Sequence, residues 1–154
     1  MAEAARIFTT AVLSLLAPVS LFVLGRVFPV TQETTILFQP PSWVFGVVWF
    51  ILSVLIGVIT ARMFWTRQHL AYLPLFLVTL VLWCAWIFVN HLGRKDISLV
   101  VLILSGLCVV GYISYLSYFR HLVSSSLLLV GAVTWLLFAS AMNGVEVQAY
   151  LKSS

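Results

Sequence analysis

Charge is absent over five long stretches of this chain, 7–25, 34–61, 68–93, 97–119 and 121–145. Each is long enough for a helix that crosses a bilayer's hydrocarbon core, which takes about 20 predominantly apolar residues. The placement of charges therefore predicts five transmembrane helices, near 5–26, 41–65, 70–92, 97–119 and 124–148. Short breaks between them make consecutive helices antiparallel neighbours in a compact bundle. The longest break, 28–39, is polar and rich in β-branched residues, and the last, around 120–126, supplies serines as N-caps.

The second stretch is the most detailed. It opens on Pro40-Pro41, which suits a first helical turn because proline fixes φ and needs no N–H partner. Trp43 and Trp49 follow near its beginning, and Ser53, Gly57 and Ala61 then form a ridge of small residues at spacing four. Such a ridge lets another helix approach closely.

Composition turns this pattern into a class. The 154 residues are 63% hydrophobic and only 8% charged, with a mean hydropathy of +1.16. A soluble domain carries about a quarter charged residues. The reading is one all-α integral membrane domain, a five-helix bundle over 1–154 with the lipid bilayer as its surroundings. The net charge of +4 arises from 8 basic and 4 acidic residues, with no basic face for a nucleic acid. Arg6, Arg62, Arg67 and Arg120 fall on one side of the membrane and Arg26, Arg94, Lys95 and Lys152 on the other, so the positive-inside rule returns no orientation. Arg6 before an apolar run imitates a signal peptide, but no A-x-A cleavage pattern follows, and the first helix is read as retained.

Candidate chemistry is sparse. Cys84 and Cys108 lie inside apolar segments and read as small buried thiols, with a disulfide as the alternative. His69, His91 and His121 are too far apart for a metal motif, and no Ser, His and acid converge by spacing, so neither a metal site nor a catalytic triad is expected. Glu3, Glu33 and Asp96 sit at helix ends or in loops, and Glu146 near the end of the fifth helix reads as interfacial. Ion-coupled carriers use membrane-embedded carboxylates, and there is no internal repeat. Arg94-Lys95-Asp96 reads as a solvated loop cluster, the alternative being that it steers an anionic ligand group.

What remains is aromatic. Trp65 fits an interfacial belt, and Trp43 fits a belt or a pocket mouth. Trp49 and Trp135 stand near mid-depth, where an indole N–H wants a partner, and for both a pocket role and a packing role stay open. Trp83 and Trp86 share one face of the third helix and read as packing. Tyr112, Tyr115 and Tyr118 make a stripe on the fourth helix, read as belt or subunit contact. Ala139, Ser140, Asn143 and Gly144 on the fifth helix allow close packing or open space beside Trp135, and Asn143 inside lipid must find a hydrogen-bond partner. The segment 145–152, with Val147, Tyr150 and Lys152, meets the loose sterol-contact pattern, which carries little weight alone.

Pro40-Pro41-Ser42-Trp43-Val44-Phe45-Gly46-Val47-Val48-Trp49 resembles the signature that opens helix two in the tryptophan-rich sensory protein/translocator protein (TspO/MBR) family. Trp135-Leu136-Leu137-Phe138-Ala139, with Asn143, is similar to that family's helix five, and Ala85-Trp86 and Arg94 fit its helix three and the loop beyond. The resemblance implies a five-helix bundle forming a homodimer, with a pocket near the first loop for porphyrins (protoporphyrin IX or heme), sterols and similar flat apolar ligands. It implies that Trp49 and Trp135 line the pocket, with Trp43 and Trp83 near it, Ala139 as a wall and Asn143 as a polar anchor. No cofactor is required. The membrane would be the mitochondrial outer membrane or another intracellular membrane in a eukaryote, or the cell envelope in a bacterium.

Several positions depart from the family pattern. The first loop is short and lacks the family's tryptophan and tyrosine, with Phe38 near the last of them. Trp83 stands for a helix-three asparagine, which fills space and removes a donor; Gly131-Ala132 replaces a Pro-Tyr, and Asn90-His91 replaces paired phenylalanines. These changes leave three readings: a binding protein or translocator, a regulatory scaffold with a degenerate pocket, and a light-dependent porphyrin-degrading enzyme. The first is favoured and the enzyme is the least favoured.

Overall fold

The computed structural model describes residues 2–29, 40–65, 72–120 and 123–153, without the side chains of residues 2, 42, 116–120, 123–129 and 150–153. It is all-α. The helices are α1 (Ala2–Val27), α2 (Ser42–Trp65), α3 (Tyr72–His91), α4 (Lys95–Arg120) and α5 (Val123–Ser153). Each contains a stretch long and apolar enough to cross a membrane. Residues 30–39 of the first loop, Phe38 among them, with Arg67, His69 and His121, lie outside the described residues.

Around the bundle the helices follow the order α1, α2, α5, α4, α3, with α3 closing back onto α1. The closest packing is α1 on α2, α3 on α4 and α4 on α5. α2 meets α3 only sparsely, which corrects the expectation that every consecutive pair packs side by side. The reason is bulk: Trp49 of α2 stands against Trp83 and Trp86 of α3, and the indoles hold the two backbones apart.

α1 and α2 are close because of the small-residue ridge. Ser53, Gly57 and Ala61 are all buried, and a Cβ built on Gly57 would stand 2.5 Å from the carbonyl oxygen of Ser14. Pro18 lies inside α1 and has no N–H to give to that same carbonyl four residues earlier. The Gly57 approach thus covers a carbonyl that its own helix leaves without its usual donor. At the other end of the pair, Arg6 donates to the carbonyl of Trp65, with its guanidinium 4.5 Å from the centroid of the Trp65 ring.

Two sequence readings change in the core. Tyr112 is fully buried rather than at a belt, and its hydroxyl meets Thr60 Oγ1 at 3.0 Å and Met63 Sδ at 3.5 Å. Tyr115 is half-buried against the same core, and the Tyr118 side chain lies outside the described residues. Cys84 and Cys108 are free thiols, both half-buried.

The turn between α3 and α4 places the site's polar residues. Gly93 has φ +72°, its N–H donates to Asn90 O at 3.0 Å, and the Arg94 N–H donates to Val89 O at 3.3 Å. These two bonds make a Schellman ending with glycine in the left-handed position. The chain reverses so tightly that Lys95 and Asp96 already belong to the first turn of α4, where a loop was expected.

Candidate functional site

A cavity of about 680 Å³ occupies the half of the bundle where α1 and α3 end and α4 begins. That size falls within the roughly 300–1,000 Å³ typical of small-molecule pockets. Its inner part is apolar, built from Pro18 and Leu21 of α1, Phe50 of α2, Trp83 of α3 and Ala139 of α5. Polar side chains lie at the end facing the α3–α4 turn, where Asn90, Lys95, Asn143 and Glu146 reach the lining and Arg26 stands exposed on α1.

An indole cluster forms one wall. Trp49 lies stacked with Trp86, ring centroids 5.1 Å apart at 27°, and edge-on to Trp83 at 5.2 Å and 78°. The Trp83 N–H donates to Ser105 Oγ of α4 at 2.9 Å, so this side chain, almost wholly buried, ties α3 to α4 as well as lining the cavity. The Trp49 and Trp86 N–H groups are buried and have no acceptor within hydrogen-bond distance among the described residues. Leaving a buried donor unmet costs about 1–3 kcal/mol, and the Trp135 N–H, away from the cavity, is in the same condition.

The polar end is a connected network. Lys95 Nζ lies 3.3 Å from Glu146 Oε2 and donates to Asn90 Oδ1 at 3.1 Å. Asn90 Nδ2 and Asn143 Nδ2 both donate to Ser98 Oγ, at 3.3 and 2.9 Å. The two ionic side chains are only 9% and 10% exposed. A carboxylate on Glu146 offsets both the buried ammonium and the positive N-terminus of α4, where a lysine is otherwise unfavourable. Beside this corner His91 Nδ1 stands 3.0 Å from Pro29 O, and Phe28 packs against both His91 and Phe88. The residues Asn90-His91, a departure from the expected phenylalanine pair, build this corner.

The expected site residues divide accordingly. Trp49, Trp83, Ala139 and Asn143 line the cavity, and Trp43 lines its edge with its ring exposed. Trp135 does not line it: its ring packs on Phe45 (5.2 Å) and Phe138 (5.4 Å), and Phe45 stands between it and the cavity. Asn143 has its partner within the protein, in Ser98. Glu146 is not interfacial but buried, and Lys95 is not solvated in a loop, whereas Arg94 and Asp96 are, paired at 3.3 Å on the surface. Val147 is half-buried outside the lining, while the side chains of Tyr150 and Lys152 lie outside the described residues. Sequence reading missed Trp86, Asn90 and Glu146 as site residues, and gave Lys95 a ligand role only as the less favoured alternative for the Arg94-Lys95-Asp96 cluster. One signal was present: Glu146 follows Asn143 by three residues, so the acid shares a face with the asparagine already singled out.

No curated protein and no solved structure matches the chain. The model of the TspO/MBR family matches residues 22–146, a span that holds every cavity-lining residue except Pro18 and Leu21. With five membrane-length helices and a match over most of its length, this chain is a multi-pass integral membrane protein that belongs to the TspO/MBR family.

Proposed function

We propose that this protein binds flat apolar molecules of the porphyrin or sterol type in the cavity between α1, α2, α3 and α5, as a receptor or translocator. The observation that carries this reading is the indole wall: Trp49 and Trp86, with stacked rings, line about 680 Å³ of mostly apolar space. Flat rings stack on indoles, and a few polar groups suffice to orient them.

The test is a titration of detergent-purified protein with protoporphyrin IX and, separately, with the fluorescent sterol dehydroergosterol, following tryptophan emission. Saturable binding of either, weakened by Trp49→Phe and Trp86→Phe but not by Trp65→Phe, is the expected result. Linear, unsaturable quenching with both ligands, indifferent to all three substitutions, would overturn the reading in favour of a scaffold acting through protein partners.

A further inference from the structure

The ion pair at the polar end of the cavity is not needed to hold a flat apolar body, yet Lys95 and Glu146 are part of the lining. We infer that this pair is a charge filter, which admits neutral hydrogen-bonding head groups to that end of the cavity and rejects ionised ones. The inference rests on the binding reading above and specifies the ligand class.

The argument is electrostatic. Lys95 and Glu146 are each about nine-tenths buried and 3.3 Å apart, so together they are neutral and mutually satisfied. A ligand carboxylate that pairs with Lys95 must displace Glu146, leaving a buried carboxylate uncompensated, or settle beside it as a second anion. Both are unfavourable where water is scarce. A ligand ammonium meets the mirror-image problem with Lys95. A hydroxyl or carbonyl brings no net charge and adds a donor or acceptor next to the network of Asn90, Ser98 and Asn143. Among the described residues, the other charges near this end do not alter the balance. Arg26 is exposed on the α1 side with its guanidinium over Phe22, and Arg94 and Asp96 pair with each other at the surface, so all three are screened by water. A porphyrin therefore enters ring first and leaves its propionates at the solvated rim.

Three probes with one aromatic body separate the head group from the rest: pyrenemethanol, pyreneacetate and pyrenemethylammonium, each titrated at neutral pH by energy transfer from tryptophan to pyrene. Affinities are taken relative to each probe's partition into protein-free detergent, so the wild type alone gives a first answer. It should bind the alcohol at least ~tenfold more tightly than either ion, the least that a misplaced buried charge costs. Glu146→Gln should raise pyreneacetate affinity by about that factor and Lys95→Met should do the same for pyrenemethylammonium, since each frees one charge for the ligand. Either variant suffices if the other fails to fold. The double variant Lys95→Met/Glu146→Gln, with no buried charge, should gain affinity for neither ion. Equal binding of the three probes to the wild type, or head-group ratios unchanged by both single substitutions, would overturn the filter while leaving the cavity a binding site. Failure of every probe, together with protoporphyrin and the sterol, would remove both readings.

Discussion

Lys95 at the first position of α4 and Glu146 near the end of α5 form a buried ion pair, 3.3 Å apart, across one end of an apolar cavity. The two residues are 51 positions apart in sequence and are joined only because the Gly93 reversal starts α4 one residue after Arg94. Removing one member leaves a buried charge, which costs roughly 3–5 kcal/mol in a fully enclosed site, and less where a cavity can admit water. Lys95→Met and Glu146→Leu should each lower the thermal midpoint in detergent clearly. The double variant should recover most of the loss, because an apolar pair of similar volume is often neutral or better. Additive losses in that double-mutant cycle would mean that the pair is not coupled.

The indole wall makes a second prediction, about which tryptophan is structural. Trp83→Phe removes a bond to Ser105 and leaves that buried hydroxyl without its donor, so it should destabilise the ligand-free protein by about 1–3 kcal/mol. Trp49→Phe and Trp86→Phe remove N–H groups that have no partner among the described residues, and their loss breaks no such bond. Thermal melts without ligand should rank Trp83→Phe as the more damaging change, and ligand titrations should rank Trp49→Phe and Trp86→Phe so. A ligand-free melt in which all three fall together would contradict this division.

Gly57 against Ser14 predicts a steric effect. The added methyl of Gly57→Ala would meet backbone, which cannot swing aside, so α1 and α2 must separate, at about 1–3 kcal/mol. Gly131→Ala is the matched control: it lies in α5 with nothing within 4 Å of its Cβ position, and the change should be neutral or stabilise the helix by up to ~1 kcal/mol. Equal melting temperatures for the two variants would show that the close approach is not limiting.

Gly93 tests the turn itself. Its Cβ position is empty, so Gly93→Ala has no clash to relieve and its cost is the left-handed backbone alone, about 1–2 kcal/mol. Gly93→Asn should cost less, since asparagine tolerates that region better than alanine. Because the turn sets the start of α4, Gly93→Ala should also change the affinity for neutral-headed ligands, which Gly131→Ala should not. Melts and pyrenemethanol titrations on the three variants check both parts.

Much of the architecture was legible in the sequence because a membrane makes simple demands. A helix that must cross about 30 Å of hydrocarbon shows itself as an uncharged run, whatever it packs against. The runs located all five helices, with every end within about three residues except the extension of α5 to Ser153. The small ridge Ser53, Gly57 and Ala61 announced a close helix partner, and Pro40-Pro41 marked where α2 begins at Ser42. The aromatic motifs of α2 and α5 pointed to the family now established by its model over 22–146.

The direction in which each side chain faces was decided only by the tertiary structure. In a soluble helix the polar stripe reveals the outer face, but these helices are apolar all round, so periodicity carries little information about which face meets the core and which meets lipid. Trp49 and Trp135 therefore looked equivalent from their depth, yet the packed bundle turns one into the cavity and screens the other behind Phe45. Charge position misled for a related reason. Lys95 and Glu146 both sit near helix ends, where a lone charge reaches water at little cost, and only the meeting of α3, α4 and α5 supplies each with a partner that makes burial affordable.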